Sequence, residues 1–164
     1  ERFSELESAT VMVQKEVADR MAADPGNKNY GAYTVKLRMH AQPAGRFSVG
    51  PGNFFPPPHV ESSVIRLDRA TPQAAQDAAL ELGCPVEEVA RATCTMADAA
   101  FATRRKTLSN SCKTYFSGRG PEGKRVAAEL SRLFETAQID PKRRGESLEQ
   151  EEFIRLGVAY LELR

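Results

Sequence analysis

Histidine and cysteine are scarce in this chain, at two and three of 164 residues, and their scarcity removes several chemistries at once. His40 and His59 stand apart from each other and from the thiols. They spell no metal cluster, and turn or surface roles fit them better than catalysis. Cys84, Cys94 and Cys112 are odd in number and form no Cys-x-x-Cys pair, which disfavours a disulfide framework or zinc site and suits reduced thiols in a cytoplasmic protein. No apolar run reaches the ~18 residues of a membrane span, and no charged n-region leads into an apolar stretch, so neither insertion nor secretion is indicated. Ser62, Ser63 and the cysteines have no general base beside them in sequence, and nucleophilic catalysis is unsupported. The chain opens on Glu1, as a piece of a longer polypeptide would.

The composition is that of an ordinary folded protein, 41% hydrophobic and 27% charged, with a net charge of +1. Charge is unevenly placed. Between residues 101 and 125 stand Arg104, Arg105, Lys106, Lys113, Arg119, Lys124 and Arg125 against the single acid Glu122, while acids gather at Glu146–Glu152. Such a basic segment on a balanced chain is the footprint of a nucleic-acid binder; a solvated helix face accounts for the charge equally well.

Hydrophobic patterning divides the chain near residue 70. The apolar run 9–14 predicts a strand buried on both faces of a mostly parallel sheet. A helix over 15–23 follows, stopped at Asp24-Pro25-Gly26-Asn27. Residues 33–41 carry both a four-residue and an alternating spacing and are read as helix. A turn at 42–45, a short strand at 46–49 and a longer strand at 62–67 complete an α/β part, residues 1–69. Beyond Pro72 every segment reads as helix, giving an all-α part over residues 70–164. One helix runs from Pro85 through Phe101. A basic helix over 103–116 carries Leu108, Cys112 and Phe116 on one face, and a stripe marked by Val126, Leu130, Leu133, Phe134 and Ala137 forms another. Asp140-Pro141 reads as a helix start, and Ser147 with Gln150 as a capping box before the last helix.

The most distinctive stretch is Phe54-Phe55-Pro56-Pro57-Pro58-His59-Val60-Glu61-Ser62-Ser63. Three prolines fix φ and lack donors, so the segment is a rigid, extended approach to a strand. Read as F-x-P-x-P-x-V-x-S it resembles the base-pocket loop of the ribosomal RNA small-subunit adenine dimethyltransferases, the KsgA/RsmA family. Other segments match in order. Gln14-Lys15-Glu16-Val17 resembles the family's Q-K-E-V, Tyr30-Gly31 with Val35 its Y-G-x-x-S-V, and Phe101 to Ser111 its F-x-x-R-R-K-T-L-x-N. Ile139-Asp140-Pro141 with Arg144, Glu146 and Leu148 resembles its I-D-x-x-x-R-x-E-x-L. Glu61 stands where aspartate is usual. The family's glycine-rich cofactor loop, its ribose-binding acid and its N-L-P-Y turn have no counterpart here.

The resemblance implies the second half of a Rossmann-like methyltransferase sheet followed by a small helical RNA-binding domain. It further implies a parent enzyme that dimethylates N6 of two adjacent adenines of small-subunit ribosomal RNA from S-adenosylmethionine, with no metal and no catalytic or cofactor-binding residue in this chain, which is inactive alone. Phe54 would stack on the extruded base; the alternative is that Phe54 or Phe55 caps the sheet core. Arg104, Arg105, Lys106 and Lys113 would grip RNA phosphates, with Lys15 and Arg20 extending the track. For the first three the alternative is helix solubility or ion pairs with Glu149, Glu151 or Glu152. The expected partner is the small ribosomal subunit, and an unpaired sheet edge would invite self-association. Two other classes remain open: a non-catalytic RNA-binding or ribosome-assembly module, and a helical protein-interaction domain.

Overall fold

The computed structural model describes residues 5–163. Among these, three strands and eight α-helices follow in order. Strand β1, Ser8–Gln14, runs straight into α1, Lys15–Met21. Helix α2, Ala32–Arg38, leads to β2, Ala41–Val49, and the proline loop to β3, Ser62–Arg69. The helical part comprises α3 Gln73–Leu82, α4 Val86–Phe101, α5 Leu108–Ser117, α6 Gly120–Ala128, α7 Leu130–Ala137 and α8 Gln150–Glu162.

The sheet corrects the parallel, doubly buried strand expected at 9–14. Strand order is β1-β3-β2, with β3 antiparallel to both neighbours. Burial alternates along β1, and Met12 is 55% exposed. An apolar run therefore misreads here, because the pleat sends alternate side chains to a covered and an open face. Met12, Val64 and Phe47 lie in one register row on the open side. The expected turn at 42–45 is strand instead. Pro43 lies on edge strand β2, where its missing donor breaks no central ladder, and the register shifts between Pro43 and Gly45.

Helices α1 and α2 form the layer between sheet and bundle. α1 lies against β1 and β3, while α2 touches β2 on one side and α4 and α8 on the other. Thr34 is fully buried and donates its hydroxyl to the Arg20 carbonyl at 2.6 Å. The main core joins Ala23, Tyr30 and Val35 to α4, α5, α7 and α8, and a second core joins Met39 to α3, α4 and α8. The core is thus continuous across residue 70. Phe101 lies edge-on to Tyr30 and is stacked with Phe153, each pair 5.9 Å between centroids.

Four helix boundaries differ from expectation. Residues 102–106 form a turn, and Thr107 caps α5 by accepting from the Asn110 N–H, so Arg104, Arg105 and Lys106 lie outside the helix. The expected 126–137 stripe is divided at Glu129. Asp140 accepts from the Lys142 N–H in a turn rather than starting a helix, and the capping box of α8 uses Glu149 and Glu152 in place of Ser147 and Gln150. Two acidic residues serve this box as well as a hydroxyl and amide because a carboxylate accepts strongly and favours a helix N-terminus.

Gly157 on α8 lets the bundle close. A methyl group there would lie 2.6 Å from Thr93 Oγ1 and 2.7 Å from its backbone nitrogen on α4. Gly157→Ala is expected to lower stability by about 1–3 kcal/mol despite alanine's better helix propensity, because two packed helices must separate. Urea denaturation measures this, and an unchanged or raised midpoint would show that the helices have room to spare.

Candidate nucleic-acid interface

The proline loop is fixed at both ends. At its entrance Pro51–Asn53 makes a short 3₁₀ turn, with Asn53 donating its side-chain amide to the Gly50 carbonyl at 3.1 Å. At its exit the Lys15 N–H donates to the Glu61 carbonyl at 2.9 Å, and the Lys15 ammonium pairs with the Glu61 carboxylate. The Gln14-Lys15 and proline-loop segments are therefore one structural unit, brought together by β1 pairing with β3. Phe54 is partly buried, whereas Phe55, joined to Pro56 by a cis peptide, is 100% exposed. Phe55 consequently caps no core. Sequence alone gave no means of separating these adjacent rings.

Arg104 knots three distant segments together. Its guanidinium donates to the Lys28 carbonyl and, at 3.1 Å, to the Tyr30 carbonyl, and its Nε lies 3.6 Å from the Glu146 carboxylate. Tyr30 in turn donates its buried hydroxyl to the Leu148 carbonyl at 2.9 Å, and Gly26 N–H donates to the Glu146 carbonyl at 2.7 Å. Burial, with smaller effects from nearby charges, pushes the Tyr30 hydroxyl well above its ordinary titration range and keeps it a donor. Arg143 completes the frame. It donates twice to Glu152, at 2.5 and 2.9 Å, while its carbonyl accepts from the Leu108 N–H at the head of α5.

The six cations expected to contact RNA divide by what they do within the chain. Lys15 pairs with Glu61, Arg20 with Glu16 at 2.5 Å, and Arg104 forms the knot, its carboxylate partner being Glu146 rather than an acid of α8. Arg105, Lys106 and Lys113 are exposed, and their side chains make no ion pair or hydrogen bond among the described residues. All three project from the α4–α5 turn or the outer face of α5. Surface ion pairs such as Lys15–Glu61 contribute little to stability, so an approaching phosphate could compete for them; the three unpaired cations need no such exchange.

A small antiparallel sheet edged by a braced aromatic loop and packed on a helical body with unpaired cations makes this an α/β protein. A model of the ribosomal RNA adenine dimethylase family matches residues 2–155, and the chain belongs to that family. It is 40% identical over 155 residues to the ribosomal RNA small subunit methyltransferase A of Corynebacterium diphtheriae, covering 94% of this chain and 48% of that protein. To the protein of the same name from Geobacillus thermodenitrificans it is 37% identical over 160 residues, covering 96% and 49%. The chain thus spans about half the length of these curated relatives. In fold it is similar to the crystal structure of a dimethyladenosine transferase from Plasmodium falciparum, with a TM-score of 0.65 and 20% identity over 92% of this chain and 56% of that one. It is also similar to the 23S rRNA methyltransferase ErmE, with a TM-score of 0.53 and 18% identity over 95% and 55%.

Two outcomes are expected of the frame. Arg104→Lys should destabilise by about 1–3 kcal/mol, because a single ammonium cannot satisfy two carbonyls and a carboxylate in the guanidinium's plane; an unchanged urea midpoint would show the knot to be dispensable. Burial alone would raise the Glu152 carboxyl, but the hydrogen bonds from Arg143 and the Glu149 N–H outweigh it and hold the group below its ordinary value near 4.5. Its contribution to stability is therefore complete above that value and is lost as pH falls through the lower, folded-state one. Glu152→Gln should flatten this part of the acid limb of a stability–pH profile.

Proposed function

We propose that the protein of which these residues form part transfers methyl groups from S-adenosylmethionine to N6 of two adjacent adenines in small-subunit ribosomal RNA. In this reading the chain supplies the ring that stacks on the extruded base and the surface that grips the RNA. Family membership supports it, together with a proline-braced aromatic loop tied to β1. An adenine N6 amine is a weak nucleophile whose lone pair is delocalised into the ring, so the task is to unstack the base and hold its amine in line with the donor methyl.

Phe54 is assigned the stacking role, and Arg105, Lys106 and Lys113 bind phosphate, with Arg104 shaping the turn that presents them and Lys15 and Arg20 lying along the approach. The change of pattern at residues 69–72 is read as the junction between the catalytic part and the RNA-gripping part, and the partner is the small ribosomal subunit. The described junctions of a strand with a following α-helix, Gln14–Lys15 and Ala70–Pro72, contain no glycine, and Gly50 and Gly52 after β2 lead into a 3₁₀ turn and not an α-helix N-terminus. They do not fit S-adenosylmethionine, which needs a backbone cradle of the glycine-rich kind. No step is derived through the cofactor, its seat is assigned to polypeptide outside these 164 residues, and the chain alone is inactive. The second reading, a non-catalytic RNA-binding or ribosome-assembly module, draws on the same unpaired cations. Methylation by the full-length protein separates the two.

Incubating the chain with radiolabelled S-adenosylmethionine and unmethylated small subunits should give no transfer, and turnover would refute the placement of the cofactor seat. For the loop, Phe54→Ala in the chain should weaken binding to a small-subunit rRNA hairpin by roughly 5- to 150-fold, the ~1–3 kcal/mol of one base stack, with Phe54→Tyr close to wild type. Loss on Phe55→Ala with none on Phe54→Ala would move the stacking role to the exposed ring. The open edge of β1 is proposed to allow self-association, which sedimentation at rising concentration would detect.

A further inference from the structure

We propose that Asp19 and Arg46 are positioning residues for the proline loop: their ion pair, continued through Lys15 to Glu61, clamps both strands that carry the loop onto α1 and so fixes where Phe54 stands. The proposal rests on the stacking role given to Phe54 above and adds what aims that ring. β2 pairs with β3 as far as Val49 opposite Ser62, so residues 50–61 leave and rejoin the sheet at one point. Gln14, the last residue of β1, faces Ser62 from the other side, and α1 begins at the next position. Lys15 and Asp19 lie four residues apart on α1 and therefore share a face. The Arg46 guanidinium of β2 donates to the Asp19 carboxylate at 2.6 Å, and the Lys15 ammonium pairs with the carboxylate of Glu61, immediately before β3.

Charges thus alternate from the strand that enters the loop to the residue that leaves it: Arg46, Asp19, Lys15, Glu61. The hydrogen bond and charge of Glu61 raise the Lys15 ammonium above its ordinary range, while Asp19 adds to the rise and Arg46 opposes it, so the two pairs share one field. An isolated exposed ion pair contributes little, whereas a network of several charges restrains geometry. The Asp19–Arg46 pair is the better sheltered of the two. Its side chains are 32% and 31% exposed, against 46% and 51% for Lys15 and Glu61. Beside Arg46, the Phe47 carbonyl accepts from the hydroxyl of Ser63, which is fully buried, at 3.0 Å. β2 and β3 are therefore joined here, and the clamp sets how the pair of strands lies on α1.

Such a clamp matters because β2 is an edge strand with β3 on one side only, and the register shift near its start loosens its twist. The relative twist of neighbouring strands varies by about 10° either way. About ten degrees carried over about 10 Å, three residues of strand, displaces a ring by nearly 2 Å, and an error of about 1 Å in placing a reacting group can cost on the order of 100-fold in rate. A direct contact between Arg46 and an RNA phosphate is the competing reading, and it gives Asp19 no part.

The test is methyl transfer to unmethylated small ribosomal subunits by the full-length protein, with kcat and KM for the subunit measured separately. Asp19→Asn and Arg46→Gln should each lower kcat roughly five- to fiftyfold and change KM less than about twofold, because the ring is displaced while the phosphate contacts are kept. Arg46→Lys, which keeps the charge, should retain at least about a third of the wild-type kcat. In a Phe54→Ala background, Asp19→Asn and Arg46→Gln should cost less than about twofold more, since they act through the ring. The control is Arg66→Gln, which breaks the exposed Arg66–Asp68 pair on β3 and should stay within about twofold of wild type. Unchanged kcat in the two single variants would overturn the proposal. So would a full further loss in the Phe54→Ala background, or an Arg46→Lys no better than Arg46→Gln with a urea midpoint that falls in step, either of which would mean general damage to the fold. A rise in KM from Arg46→Gln alone would make Arg46 an RNA contact and likewise overturn it. A wild-type protein that transfers no methyl group would remove the dimethyltransferase reading and this proposal with it.

Discussion

The Arg104 guanidinium is the contact on which the arrangement of the chain depends. Loop 24–31 turns from the sheet side towards the bundle, which brings the carbonyls of Lys28 and Tyr30 to the Arg104 guanidinium. One planar fork with several donors serves both and keeps Glu146 beside it. The Tyr30 ring can then enter the main core against Phe101, with its hydroxyl on the Leu148 carbonyl. Without this knot the turn carrying Arg105 and Lys106 would lose its anchor to loop 24–31.

The same economy governs the proline loop. A loop that presents a ring to a ligand must be stiff before the ligand arrives, because ordering it on binding would cost about 1–2 kcal/mol per residue. Prolines 56–58 remove much of that freedom from the unbound chain. The remaining freedom is at the ends, where Asn53 closes the entrance and Lys15 holds the exit through both its backbone and its ammonium. A glutamate at position 61, one methylene longer than the family's usual aspartate, still meets Lys15. The pairing sits at the mouth of the sheet, where both side chains are about half exposed, so its value lies in geometry more than in binding energy.

Sequence patterning recovered the elements better than their relations. The helix Val86–Phe101 was legible because its apolar residues recur at three and four over many turns, and the proline loop because proline has few permitted uses. β2 was not, since Pro43 and Gly45 spell a turn unless one knows that the strand lies at an edge and bulges. The direction of the sheet was hidden as well: an apolar hexapeptide fits a parallel strand until the open side of Met12, Val64 and Phe47 is known. Within the candidate site, charge marked the right segment but not the right atoms. Arg104 and Arg105 are neighbours of the same type, and only the carbonyls of a loop some 75 residues away in sequence decide that the first is internal and the second free.

That division explains how a chain of net charge +1 can offer a nucleic acid a cationic surface. At physiological ionic strength charges act over about 8 Å, so a polyanion responds to the local surface and not to the total. In the 146–152 segment Glu146 is held by Arg104 and Arg144, Glu152 by Arg143 and Arg155, and Glu149 caps α8. They are thus neutralised within the frame that positions the turn and do not compete for Arg105, Lys106 and Lys113. Pairing half the arginine-rich motif inward and leaving the other half unpaired fixes where the positive field emerges. The frame and the surface it presents meet in one turn, which carries Arg104 on one side and Arg105 and Lys106 on the other.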